Sequence, residues 1–170
     1  VFRTLFRAIS AGKFEHSFNE IVPLLPMILS GLNYQLRRSE HDTVKNIILE
    51  LCLTIPVKLQ TLLPHLPVLL DHLASALQAK GELPNLALRT LEFWIENLYP
   101  EFLHGVLTSQ PSLQASLMCG ICKHLRPAPY PYGILALRIL GKLGGRNRSF
   151  LRDFFPLEEK AEFELGLSPK

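Results

Sequence analysis

The sequence predicts an all-α solenoid, a stack of antiparallel helix pairs, from three observations. Apolar residues recur at helical spacing in several separate segments. Proline-broken turns divide those segments into pairs. Two of the segments return further along the chain in altered form.

Residues 51–73 (LCLTIPVKLQTLLPHLPVLLDHL) show the unit most plainly. They are dominated by Leu, Ile and Val and carry only Lys58 and Asp71 as formal charges. The stretch is too apolar for a surface linker. Pro56, Pro64 and Pro67 break it too often for one helix, because an interior proline loses a hydrogen bond and clashes with the preceding turn. One helix is expected to end near Thr54. A turn follows at Ile55-Pro56, and a second helix starts between Leu62 and Pro67. The two would bury their leucines against each other.

The other elements follow in order. Phe2, Leu5, Phe6 and Ile9 share one helical face, and Gly12 is expected to end that helix. Ser17 and Glu20 have capping-box spacing. Ile21, Leu24, Leu25, Ile28, Leu29 and Leu32 then form a helical stripe. Pro23 and Pro26 lie in it, so the helix is kinked there or starts later than Ser17. The polar residues 33–41 read as a loop. Val44, Ile47, Ile48, Leu51, Cys52 and Ile55 repeat the stripe until Pro56 stops it. Leu66, Leu69, Leu70, Leu73 and Leu77 mark the next helix, closed by Gly81. Ala87, Leu91, Trp94, Ile95 and Leu98 mark another, closed near Tyr99-Pro100. Leu113, Leu117, Ile121 and Leu125 mark a weaker helix ended by Arg126-Pro127. Residues 127–131 read as a stiff linker. Ala136, Ile139, Leu140 and Leu143 give a last helix, stopped by Gly144-Gly145. The repeats are expected to span 1–151, about three helix pairs plus a preceding helix. Residues 152–170 form an acidic segment with no assigned element.

The repeat shows in two offsets. The prolines of Val22-Pro23-Leu24-Leu25-Pro26 return 41 positions later in Leu63-Pro64-His65-Leu66-Pro67. Arg89, within Ala87-Leu88-Arg89-Thr90-Leu91, returns 49 positions later as Arg138. Two helices per unit, proline early in the first and arginine inside the second, at a period of about 40–47 residues, are the pattern of HEAT repeats. Such a unit hides its apolar face only against its neighbours.

Composition narrows the function. Of 170 residues, 48% are hydrophobic and 19% charged, enough for a sizeable core. Net charge is +3, with 16 Lys+Arg against 10 Asp+Glu in residues 1–152 and 2 against 5 beyond. The basic clusters are only short pairs such as Arg37-Arg38 and Arg146/Arg148, which argues against a nucleic-acid face. The longest nearly apolar run, residues 21–29, is too short for a membrane span. Three cysteines make no disulfide framework and fit a reduced, intracellular chain. The chain begins inside a helix, so a piece of a larger polypeptide is expected.

Motifs that suggest chemistry have plainer explanations. Cys119-Gly-Ile-Cys122 has redox-pair spacing but lies inside a helical pattern, without the strand-then-helix setting that lowers a thiol pKa. With His124 it still falls short of four zinc ligands. His65 and His72, near Asp71, would share a helix face as two packed or solvated histidines. Gly144-Gly-Arg-Asn-Arg148 follows a helix instead of opening one, unlike a phosphate loop. The PxxP pairs at Pro23 and Pro64 have core-like leucine flanks. Arg89 and Arg138 read as an inter-repeat ladder of hydrogen bonds and ion pairs. Glu92, Glu96 and Glu101, beside Tyr99 and Phe102, form an acidic and aromatic face. No catalytic, cofactor or metal residue is nominated. The candidate partner surface is Arg89, Glu92, Glu96, Arg146 and Arg148.

Residues 5–10 (LFRAIS), 86–103 (LALRTLEFWIENLYPEFL) and 137–151 (LRILGKLGGRNRSFL) carry a further signal, with LRTLEFWIENL (88–98) and LRILGKLGGRNR (137–148) its most specific strings. With residues 51–73, they resemble the HEAT-repeat region of the transformation/transcription domain-associated proteins, the TRRAP-like pseudokinase branch of the phosphatidylinositol-kinase-related family. The resemblance implies a non-catalytic segment of a nuclear scaffold in histone acetyltransferase coactivator complexes. Its implied partners are transcription activators and other subunits. It implies no cofactor, small-molecule substrate, membrane or direct nucleic-acid contact, and places any kinase-like domain beyond this chain. Two alternatives stand beside it: a HEAT segment of an active kinase of that family or a transport receptor, and a thiol oxidoreductase through Cys119 and Cys122.

Overall fold

The computed structural model describes residues 1–10, 18–126 and 131–146. Ten α-helices are present there, with no strand among the described residues: α1 (Phe2–Ser10), α2 (Phe18–Ile21), α3 (Leu25–Arg38), α4 (Asp42–Leu53), α5 (Leu59–Leu62), α6 (Leu66–Gln78), α7 (Leu83–Asn97), α8 (Pro100–Ser109), α9 (Pro111–Cys122) and α10 (Gly133–Arg146).

Proline sets where these helices start. A 3₁₀ turn, Val22–Leu24, joins α2 to α3, and Leu63–His65 joins α5 to α6 in the same way. Each turn puts one proline at its own start and the next at the start of the following helix. There an amide proton has no intrahelical acceptor, so proline costs no hydrogen bond. The kink expected at Pro23 and Pro26 is this 3₁₀ step, and it recurs at Pro64 and Pro67. Pro84, Pro100 and Pro111 open α7, α8 and α9 likewise. After α6 the chain reverses at Gly81, whose φ of +79° suits a residue without Cβ.

Helices α3 and α4, α6 and α7, and α9 and α10 pack as pairs. The second helices form one layer, with α1 against α4, α4 against α7 and α7 against α10. Helix α6 is the centre, touching α4, α7 and α9. Its Leu66, Leu69, Leu70, Leu73 and Leu77 are fully buried, each worth about 1.5–3 kcal/mol relative to exposure. A helix apolar on nearly every side must be surrounded.

Five expectations are corrected. Residues 33–38 are helical, not loop. Leu32 and Leu36 continue the stripe of Leu25 and Leu29 against the core, so the polar run is the outer face of an amphipathic helix. Arg38 covers the Tyr34 ring and bonds its hydroxyl. Helix α8 has no counterpart in the sequence reading. Leu103 and Leu107 anchor it, and Pro100 and Glu101 begin it. Helix α9 stops at Cys122, not Arg126, because tight bonds from His124 to Ile121 and from Leu125 to Cys122 close the chain there. Helix α10 runs through Gly144-Gly145 to Arg146. Burial of Ala136, Ile139 and Leu143 holds it, at about 1 kcal/mol of helix propensity per glycine. His65 and His72 do not share a face. His65 sits in the 3₁₀ turn and His72 is buried in α6. Gly12, the Ser17 end of the capping box, residues 127–130 of the linker, Arg148 and residues 152–170 lie outside the described residues.

Candidate partner surface on α7

Helix α7 meets a neighbour on each flank. Toward α10 the contact is ionic. The Arg138 guanidinium forks onto Glu92, Nε to Oε1 at 2.7 Å and Nη2 to Oε2 at 3.2 Å. Lys142 Nζ lies 2.6 Å from Glu92 Oε1 and also binds Glu96. Partial burial alone would raise the Glu92 carboxyl. Hydrogen bonds and charge from Lys142 and Arg138 outweigh it and hold the group below the usual carboxylate range. The bonds to Glu92 and Glu96 hold the Lys142 ammonium above its ordinary value. A similar tie, Arg3 to Glu50, joins α1 to α4.

Toward α4 the contact is apolar and open. A cleft of about 440 Å³ lies between α7 and the connection from α4 to α5. Leu53, Val57, Leu59 and Leu62 line one side, with Phe93 and Trp94 on the other. Lys58 and Arg89 supply its formal charges, and no carboxylate lines it. The Arg89 Nε donates to Asn85 Oδ1 on its own helix at 3.1 Å. Neither cation has an acidic partner among the described residues.

Sequence register explains the contrast. Ile48, Leu51, Cys52 and Ile55 lie 43 positions before Leu91, Trp94, Ile95 and Leu98, which occupy the same buried places one repeat later. On that register Glu92 and Glu96 correspond to Leu49 and Leu53. Arg138 and Lys142 lie 49 positions after Arg89 and Phe93. Two acids facing two cations at the α10 seam thus correspond in register to Leu49, which is buried in the core, and Leu53, which lines the cleft with Arg89 and Phe93.

Of the nominated residues, Glu92 and Glu96 are brought together, already holding α10. Arg89 lies on the other flank, and the expected ladder forms at Arg138 but not at Arg89. The Arg146 side chain and Arg148 lie outside the described residues. Lys58, Phe93 and Lys142 were missed. The 43-residue offset, which turns Glu92 and Glu96 into leucines, was the signal available for them.

The remaining reactive groups serve packing. The His124 imidazole bonds the Leu77 carbonyl at 2.8 Å and stacks edge-on against Tyr132, tying α9 to α6. Burial pushes the Cys52 thiol up to about 12 and raises the Cys122 thiol, with Cys119 adding to the latter. Reactive thiols shift the other way. Among the described residues no group of three metal-ligating side chains occurs, and no helix is long and apolar enough to cross a membrane.

Helix pairs stacked on a shared leucine core, presenting inter-helix clefts, define a helical-repeat scaffold of the HEAT type. The family model for the Tra1 HEAT repeat central region matches residues 1–128, and the chain belongs to that family. It is a helical-repeat region and not a kinase domain. Among its relatives is the transformation/transcription domain-associated protein of Homo sapiens, 42% identical over 151 residues, 89% of this chain and 4% of the relative. The SAGA complex/NuA4 acetyltransferase complex subunit TRA1 of Saccharomyces cerevisiae is 38% identical over 165 residues, 96% of this chain and 4% of the relative. Transcription-associated protein 1 of Drosophila melanogaster is 42% identical over 149 residues, 88% and 4% respectively. The chain therefore spans about 4% of the length of these curated relatives.

Proposed function

We propose that this chain is a non-catalytic segment of a much larger TRRAP-like scaffold. In this reading the scaffold is a nuclear subunit of a histone acetyltransferase complex and contacts transcription activators and other subunits. Any kinase-like domain lies elsewhere in that polypeptide and is inactive. The observation that carries the reading is the family match over residues 1–128, joined to a relative whose name is that of a SAGA and NuA4 subunit.

The fold supports a presenting role. Each repeat packs on its neighbours over short sequence distances, so the array holds its grooves in fixed positions. Binding energy would come from apolar anchors entering such grooves. The partner surface we assign is on α7. Arg89 is open to solvent there, Glu92 and Glu96 are engaged by α10, and Arg146 and Arg148 remain candidates further on. Direct contact with nucleic acid is no part of this reading.

The test is affinity purification of the full natural polypeptide from nuclear extract, with mass spectrometry of what accompanies it. Acetyltransferase-complex subunits are the expected companions. Their absence from a soluble, intact preparation contradicts the proposal.

A further inference from the structure

We infer that the exposed apolar patch where α9 meets α10 is covered by the chain's own acidic segment, residues 153–167, docked back along α10. The inference goes beyond the scaffold reading and does not depend on it.

Three observations carry it. The first is a mismatch between two repeats. At the 49-residue offset Leu137 of α10 corresponds to Leu88 of α7, and Ile134 corresponds to Asn85. Leu88 is fully buried, whereas Leu137 is 65% exposed and Ile134 79%. The repeat thus keeps a leucine at a place that a neighbour covers on α7 and that nothing among the described residues covers on α10. Leu125 widens the patch. The return from α9 presses the Arg126 carbonyl against Gly133, beside Ile134, so closely that no Cβ fits there. Contiguous apolar surface of this kind marks a contact.

The second observation is charge. Residues 102–152 hold seven Lys and Arg and no acid, and residues 153–170 then bring five acids against two Lys. Glu92 and Glu96 answer Arg138 and Lys142 from one side. Arg126 stays exposed at the patch, and Arg138 keeps 56% of its side chain exposed even while it holds Glu92. An acidic occupant would be attracted there and a basic one repelled.

The third is composition and reach. Phe154, Phe155 and Leu157 lie just before Glu158 and Glu159, so apolar anchors and acids come together in one short stretch. Leu137 is nine residues before Arg146, about 14 Å along the helix. Phe155 is nine residues after Arg146, up to about 30 Å of extended chain. The segment is long enough to turn back and lie over Leu137 and Ile134. While it sits there, this end of α10 is closed to other proteins.

The experiment places the photo-crosslinking residue p-benzoylphenylalanine at position 137 of the full natural polypeptide and maps its cross-links by mass spectrometry. A control places it at position 27, where Met27 is exposed on α3. Both side chains face solvent, so the replacements keep the fold. Most cross-links from position 137 are expected on residues 153–167 of the same chain, and none from position 27. Replacing Glu158, Glu159 and Glu162 together by Lys should cut the yield about fivefold, and Phe154→Ser combined with Phe155→Ser should do the same. Cross-links from position 27 to its own surroundings should stay unchanged in these variants, which reports that the fold is kept. The inference is overturned if position 137 labels another part of the polypeptide or a second chain instead. It is equally overturned if position 27 labels the segment, or if the yield survives both sets of substitutions.

Discussion

The two flanks of α7 are built on the same register and behave differently. Against α10, two acids and two cations close the seam. Against α4, Leu53, Arg89 and Phe93 line a seam that stays open. The repeat architecture needs only that apolar stripes meet, and both seams satisfy that with Leu, Ile and Trp94 in the core. What lies just outside the stripe is free to vary. One choice locks neighbouring repeats together, and the other leaves a surface to which something else can be fitted.

The comparison predicts a graded series of substitutions. Trp94→Ala should be the most damaging, because Trp94 is buried under the cleft and belongs to the core shared by both flanks. A loss of about 3–5 kcal/mol in denaturant unfolding is expected. A loss below about 1 kcal/mol would mean that the cleft floor is not core. Gly120→Val comes next. An added Cβ would stand 3.0 Å from the Leu77 Cβ and 3.1 Å from its Cδ1, where α9 crosses α6. Overpacking of about 1–3 kcal/mol should lower the unfolding midpoint.

Acid should act on the ionic flank. The Glu92 carboxyl is lower in the folded chain than in the unfolded one. Its contribution is therefore present above the ordinary value of 4.5 and lost as pH falls through the folded value. The Glu92→Gln variant should lose about 1 kcal/mol at neutral pH and show a shallower decline below pH 4.5, read by thermal unfolding across pH. The core adds a second acid response. Burial holds the His72 imidazole below 6.5; Asp71 opposes the shift and Arg37 adds to it. Stability from the neutral ring is full above 6.5 and is lost as pH falls through the folded value. His72→Leu should flatten the curve in that range. Smallest of all is Phe93→Ala, expected to change stability by less than about 0.5 kcal/mol.

Much of this fold was legible in the residues, for a physical reason. Stripes such as Ile48 to Ile55 and Ala87 to Leu98 are buried along one side, and burial leaves a strong periodic signal, whereas Val44 and Ile47 of the expected stripe stay exposed. The errors arose where that signal thins. Residues 33–38 are the last turns of α3, where only Leu36 packs on the core, and α8 has two buried anchors in ten residues. Gly144-Gly145 has the local propensity of a helix stop, and burial of Ala136, Ile139 and Leu143 overrides it. The surface was harder still. Glu92 and Glu96 drew notice as charges, yet their partners on α10 lie about 50 residues away, as with Lys142 and Glu92. Lys58 and Phe93 become noticeable only when the missing acids opposite them are counted.

Amide hydrogen exchange of the intact polypeptide, with and without Glu92→Gln, separates the two flanks most directly. Loss of the tie to Arg138 and Lys142 should speed exchange in residues 136–143 of α10 and leave residues 53–62 unchanged. An equal change on both flanks, or none on α10, would show that the ionic seam does not hold the neighbouring repeats together.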